Sequence, residues 1–426
     1  MELRGHVDDP HGEAACDTSG YHPAVVQLFA LGAAEHASPL SKRDALCAEP
    51  LATRVLPDQG GWPRAFCFEG LSPGAYTLLA FVDTAGTGRL DFSHTMSQPQ
   101  GWYSTDGGWG GAQSIVRLTH GETTPHVELQ LRAPTRFPSH SASCEGGWLG
   151  ELKGQTVLHL RGDAFDRGWA HGFLAARQIL DFLEFYIIED CVGSRTRYER
   201  DVREALSTGV LAGSPAALRA ECAAVVAGMG AAGMDEIRSL GRRKIDTWDV
   251  LAINYMVHIN NLPAFLPAAE QSQTPTEAAP DEECSQFAAW GEATVDGGTI
   301  IGRNMDGECD LRKVTVSHLL LVAVEPTAAG IELSKEGPAL ETRGDTQRRR
   351  RPARFVCVMW PGCVGTCSGF NEHGLWVMNN AGSMAPGLAE AGVSHWTLVP
   401  RKPQSFPRTD LICPRGEQLP RGRSPR

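Results

Sequence analysis

The sequence predicts an α+β protein in which an all-β sandwich domain precedes a larger unit of helices followed by strands. Three observations carry that expectation. Short β-rich runs separated by Gly, Pro, Ser and Asp clusters fill residues 22–133, the punctuation of a small sandwich. Between about 157 and 265 the apolar spacing lengthens to three or four residues, as one buried helix face requires. From Cys284 onward the pattern becomes strand, turn, strand.

In order, the runs at 24–31, 65–71, 75–83, 114–120 and 126–132 are the candidate strands of the sandwich. Within it, Asp83 and Asp91 flank a glycine-rich turn; Ala85 stands where a calcium loop wants an oxygen, so a tight turn is expected instead. Next, Phe165, Trp169, Phe173, Ala176, Leu180, Leu183 and Ile187 share one helical face. Ser214-Pro215 reads as N-cap and first turn of a second helix. Asp246 reads as the N-cap of a third over 246–261, with Asp249 in an imperfect capping box. His171 and His258 lie on these helices and are read as core or surface histidines. Residues 266–283 form a proline-rich, acidic linker. Beyond it, 286–294 and 299–304 flank Val295-Asp296-Gly297-Gly298, a hairpin signal. Further strands are expected at 314–324, 354–360 and 374–380, the last after the turn Asn371-Glu372-His373, building a sheet from sequential hairpins. Residues 399–426, rich in proline and arginine, carry no pattern.

A chain of 426 residues, 42% hydrophobic and 21% charged, has room for two or three globular domains. Its net charge of −11 argues against nucleic acid or an anionic membrane as the main partner. The exception, Arg348-Arg349-Arg350-Arg351, reads as a solvated loop, with a processing or docking site as the alternative. Twelve cysteines lack the paired short spacings of metal sites, so zinc is not expected, and Cys363 and Cys367 read as ordinary strand cysteines. No apolar core of signal-peptide length opens the chain, and no segment reaches the ~18 apolar residues of a membrane span. Nothing suggests a cofactor, and no feature names a compartment.

The chemistry centres on Cys284, which follows the acidic linker directly. Scission between Glu283 and Cys284 would leave a thiol and a free α-amino group on one residue. These titrate near ~8.5 and roughly 7.7 to 8.0, so one residue could supply nucleophile and general base near neutral pH. The second hairpin strand returns Arg303 and Asp306 toward Cys284. Three apart, they face opposite sides of an ideal strand, so they serve one site only if the strand end twists or bulges; a surface ion pair is the alternative. Asn379 and Asn380 end a strand and could aim an amide donor at a developing oxyanion, or simply form a turn.

Together these residues resemble a known family. Cys284-Ser285, Trp290-Gly291-Glu292-Ala293-Thr294, Asp296-Gly297 and Gly302-Arg303-Asn304-Met305-Asp306 are similar to the N-terminal-nucleophile (Ntn) hydrolases of the isopenicillin-N acyltransferase type. Pro361-Gly362, Gly369-Phe370-Asn371-Glu372-His373-Gly374-Leu375 and Asn379-Asn380 resemble that family's next hairpin, and 162–172 with 221–233 its helical pro-segment. Separately, 71–76 with 81–91 resembles an uncharacterised bacterial β-sandwich family. The main resemblance, over about 150–395, implies an αββα sandwich. It also implies autoproteolysis at Glu283-Cys284, Cys284 as nucleophile, Arg303 and Asp306 orienting thiol, amine or substrate, and Asn380 (less surely Asn379) as oxyanion donor. The expected domains are 22–133 (sandwich), 150–265 (pro-segment), 266–283 (linker with the cleavage site) and 284–398 (hydrolase core), with 399–426 a disordered or aberrant tail. The implied activity is hydrolysis or transfer of an acyl group from a small-molecule amide, with the two cleaved chains staying associated. The match fades near His395, so a sheet incomplete at the C-terminus is an expectation too. A catalytically inactive relative acting as a binding scaffold and a lipid amide or ester hydrolase of the same fold are the alternatives.

Overall fold

The computed structural model describes residues 1–9, 22–32, 48–56, 61–90, 98–104, 115–121, 126–207, 214–259, 284–305, 310, 312–327 and 353–379. The linker 266–283, Asp91, the 348–351 arginine run, the tail 399–426 and the His258 side chain lie outside this description.

The N-terminal unit contains β1 (Leu3–Asp8), β2 (Ala24–Gly32), β3 (Ala52–Leu56), β4 (Arg64–Phe68), β5 (Gly74–Val82), β6 (Gln100–Trp102), β7 (Val116–Leu118) and β8 (Val127–Gln130). They form two sheets, β4-β1-β8 and β3-β2-β5-β6 with β7 paired to β5. Leu3, Val7, Phe66, Phe68, Val127 and Leu129 of the first sheet share one buried cluster with Val26, Leu28, Leu78, Ala80 and Val82 of the second. This face-to-face arrangement is sandwich-like. It takes in β1, outside the expected 22–133 boundary, because Leu3, Gly5 and Val7 alternate inward too briefly to stand out in sequence. Central strand β5 is buried along its whole length, its outer face covered through Phe81 and Leu79 with Leu90. Asp83 accepts from the backbone N–H of Thr87 (3.1 Å) and Gly88 (2.7 Å), the tight turn expected there.

The helical region does not begin with helix. β9 (Ala142–Cys144), β10 (Gly147–Leu152) and β11 (Gln155–Gly162) form an antiparallel meander, so the expected helical segments from 150 or 157 open as strands. Lys153 (φ 53°) and Gly154 (φ 79°) make the two-residue turn that pairs Leu152 with Gln155. Only then does α1 (Ala164–Asp181) start, capped by a box between Asp163 and Asp166, and it runs on as a π-helical stretch over Phe182–Val192. Of its expected apolar face, Ala176, Leu180, Leu183 and Ile187 are buried while Phe165 is 59% exposed. Small residues make the tightest contact instead, with α2 (Ala216–Ala231). A Cβ on Gly172 would lie 1.9 Å from the Val225 carbonyl oxygen, and one on Gly228 2.0 Å from that of Trp169. Ser214 is not the cap of α2: Pro215 holds that position, and the Ser214 hydroxyl bonds the Tyr255 hydroxyl. The third helix, α3 (Thr247–Asn254), has the Asp246/Asp249 capping box but ends earlier than expected, a short turn Met256–Ile259 following.

A two-stranded ribbon, β12 (Glu236–Ile237) and β13 (Arg243–Lys244), precedes α3. After it come β14 (Ser285–Gly291), β15 (Gly297–Asn304), β16 (Leu320–Pro326), β17 (Phe355–Met359), β18 (Ser368–Asn371) and β19 (Trp376–Met378). The main sheet has seven strands in the order β19-β18-β17-β16-β11-β10-β9, with β11 and β16 parallel; β14 and β15 pair only with each other. The expected single strand over 314–324 is divided. Asp310 accepts from the N–H of Val314 (2.7 Å) and Thr315 (3.1 Å) and winds Val314–Ser317 into one helical turn before β16. Helices cover one side of the sheet, with Ile179, Leu183, Val250 and Ile253 in the same cluster as Leu158, Val322, Cys357 and Met359. The result is a mixed α+β, sheet-rich protein, and no helix among the described residues is long and apolar enough to cross a membrane.

Two arginines join the units. Arg132 pairs with Glu184, Arg312 with Glu189 at 3.0 Å, and the two guanidinium groups lie 4.6 and 4.5 Å from the Phe185 ring centre. Arg312 also donates to the Gln100 carbonyl at 3.2 Å. The segment between β15 and β16 is thereby anchored to the sandwich.

Candidate functional site

The β14–β15 hairpin sets the position of Cys284. Ser285 pairs with Asn304 and Gln286 with Arg303, so Cys284, the residue just before β14, lies beside the end of β15. The turn occupies 292–296, earlier than expected, between Gly291 (φ 60°) and Gly297 (φ 72°). Both residues take a left-handed conformation that glycine accepts at little steric cost. Thr294 Oγ1 donates to the Gly298 carbonyl at 2.7 Å and Asp296 Oδ1 accepts from the Gly298 N–H at 2.9 Å, closing the tip.

Arg303 is the hub. One terminal nitrogen, Nη2, donates to Cys284 Sγ at 3.7 Å and to the Asn379 carbonyl oxygen. The other, Nη1, donates to Cys367 Sγ at 2.9 Å, the Cys367 carbonyl at 3.2 Å and Ser368 Oγ. A planar guanidinium can hold several acceptors at once in fixed directions, which an ammonium cannot. Burial opposes its charge, but the hydrogen bonds and charge attraction of Cys367 and then Cys284 outweigh burial, and the Arg303 pKa is raised. Its Nε–H is buried and meets no acceptor among the described residues.

The opposite wall is the segment 361–367, gripped from behind by two helices. His171 on α1 accepts from the Gly362 N–H at 3.0 Å through Nε2. Asn254 at the end of α3 donates to the Gly362 carbonyl at 2.8 Å and accepts from the Val364 N–H at 2.9 Å. Burial lowers the His171 pKa to about 4, so the ring is neutral and free to accept. His171 is therefore a core residue that shapes the wall, as its place on a helix suggested. Asn379 N–H donates to the Cys367 carbonyl at 2.9 Å, closing wall and strand end together.

Three of the residues singled out in sequence thus meet at one point: Cys284, Arg303 and, through its main chain, Asn379. Glu283, Asp306 and Asn380 lie outside the described residues. Cys367 and Ser368 were not anticipated. Cys367 is no ordinary strand cysteine, because its thiol accepts from Arg303. Burial raises its pKa, and the hydrogen bond and charge of Arg303 act against that rise. Local sequence held no signal for this contact, which comes from bringing β15 against the start of β18.

No family model, curated protein or solved structure matches the chain. Among the described residues no group of three or more His, Cys, Asp or Glu side chains could hold a metal ion. Chemically, the site offers a half-buried thiol, a cation within reach of it and main-chain groups at the end of β19.

Proposed function

We propose that the chain is a self-processing Ntn amidohydrolase or acyltransferase with Cys284 as nucleophile and the αββα fold of that class. The observation that carries the reading is the Arg303 hub, which draws the first residue of the hairpin and the end of β19 to one cation. The Cys284 thiol attacks the Glu283 carbonyl carbon. The peptide C–N bond breaks as the C–S bond forms, and the thiol proton passes to the departing amine. Water then hydrolyses the thioester to the Glu283 carboxylate and the Cys284 thiol, leaving Cys284 with both a free thiol and a free amine. In the mature protein that amine takes the thiol proton while sulfur attacks the carbonyl of an N-acyl substrate. The substrate's C–N bond breaks as the thioester forms, the Cys284 ammonium returns the proton to the leaving amine, and water or an acceptor amine finally takes the acyl group and frees the thiol. Arg303 holds the sulfur; Asp306 is assigned to orient the thiol, amine or substrate, and Asn380, less surely Asn379, to donate to the oxyanion.

Six register pairs between β11 and β16, from Val157 with Leu321 to Gly162 with Pro326, support continued association of the two fragments after scission. Intact-mass analysis of the purified protein tests the reading. It expects fragments of 1–283 and 284–426 from the wild type and one uncut chain from Cys284→Ala. An uncut wild-type chain that stays uncut on prolonged incubation overturns it.

A further inference from the structure

We propose that Cys284 and Cys367 form a peroxide-reactive dithiol, in which Cys367 resolves oxidised Cys284 into a disulfide that masks the nucleophile. This modification goes beyond acyl transfer, and its chemistry stands without it. Both sulfurs converge on nitrogens of the same guanidinium, Cys367 at 2.9 Å from Nη1 and Cys284 at 3.7 Å from Nη2. The Cys367 thiol is 3.9 Å from the Asn379 carbonyl, which also accepts from Nη2. The two thiols therefore lie on one side of the molecule, around one cation, though 83 positions apart in sequence.

Cys222, Cys357, Cys363 and Cys367 share one buried core cluster, and burial pushes their thiols up, that of Cys357 to about 12, while at Cys367 the hydrogen bond and charge of Arg303 act against the rise. A thiol held high by burial reacts slowly, because the thiolate is the reactive form. Cys284 is only half-buried and has a cation in reach, the setting of a redox-sensitive cysteine next to a resolving one. Cys367, 2% exposed, is sheltered from bulk oxidant and suited to the second step.

The chemistry balances with hydrogen peroxide as oxidant. Cys284 sulfur attacks the peroxide O–O bond, giving Cys284 sulfenic acid and one water. Cys367 sulfur then attacks the sulfenic sulfur, the S–O bond breaks, the Cys367 proton leaves with the departing hydroxide as a second water, and the S–S bond forms. The two thiols supply two electrons and the peroxide accepts them. A dithiol reductant reverses the change.

The test is peptide mapping of the full-length protein treated with hydrogen peroxide, alkylated and digested without reductant. A cross-linked pair of peptides containing Cys284 and Cys367, lost after dithiothreitol, is expected. In Cys367→Ser, dimedone should trap the sulfenic acid on Cys284, and Cys284 should reach sulfinic acid at least about tenfold faster than in the wild type. Equal rates of sulfinic acid formation in both proteins, or a wild-type disulfide joining Cys284 to another cysteine, would overturn the proposal. The wild-type map needs no variant to fold. Because the readout is covalent, a chain that forms the cross-link without being cut at Glu283-Cys284 refutes the acyl-transfer reading alone, and a cut chain without the cross-link refutes this one alone.

Discussion

The two sides of the site are held in opposite ways. The wall at 361–367 is fixed from inside by His171 and Asn254, side chains only 1% and 4% exposed, whose hydrogen bonds leave little room for movement. The β14–β15 arm that carries Cys284 belongs to no larger sheet, and Phe287, Trp290 and Ile300 are all more than half exposed. Arg303 links it to the wall through polar contacts. Buried hydrogen bonds thus determine where the wall sits, whereas a charged hub holds Cys284. Changes to the hub should alter chemistry without unfolding the protein, and changes to the grip should do the reverse.

The largest effect expected from this contrast is at Arg303. Arg303→Met keeps the length of the side chain and removes its donors, so the rate of scission at Glu283-Cys284 should fall by at least about a hundredfold. Its melting temperature should stay close to the wild-type value. Arg303→Lys should recover only part of the rate, since an ammonium cannot serve the Cys284, Cys367, Ser368 and Asn379 acceptors together. Rates and melting temperature falling in parallel in both variants would break the comparison.

A smaller and opposite effect belongs to the grip. With its pKa lowered to about 4 in the folded state, against ~6.5 in the unfolded chain, His171 is protonated first in the unfolded state as pH falls. Its contribution is therefore fully present above about pH 6.5 and is lost on going down to about 4, a change of roughly 3 kcal/mol. Denaturant midpoints measured across that window should show the loss. His171→Gln, which retains an acceptor for Gly362, should flatten it. An unchanged slope in the variant would remove His171 from the account. Least affected should be the arm's tip: Thr294→Val deletes hydrogen bonds to two exposed carbonyls and should cost less than about 1 kcal/mol, with scission unaltered.

Legibility in the sequence followed the same division. The hairpin after Cys284, the capping box at Asp246 and the strands at 24–32 and 74–82 were readable because turn residues, caps and long apolar runs are local signals. β1, β3 and β6 were not, being short strands whose burial depends on partners far along the chain. Strand β11 reads in sequence as the start of a helix, because apolar positions close to the helical period continue straight into α1. The division of 314–324 arises from one side chain, Asp310, reaching two N–H groups. At the site, Cys284 and Arg303 could be paired from strand register, since the hairpin is local. Cys367 and Ser368 could not, because their meeting with Arg303 spans more than sixty residues.

The proposed function rests on a thiol and a free amine residing together on Cys284. The most direct measurement is labelling of the purified protein with a 2-cyanobenzothiazole reagent, which condenses only with a 1,2-aminothiol, followed by mass mapping. A single label is expected on the first residue of the 284–426 fragment and none on Cys284→Ser. A protein that turns over N-acyl substrate while Cys284 remains joined to Glu283 and unlabelled would contradict it.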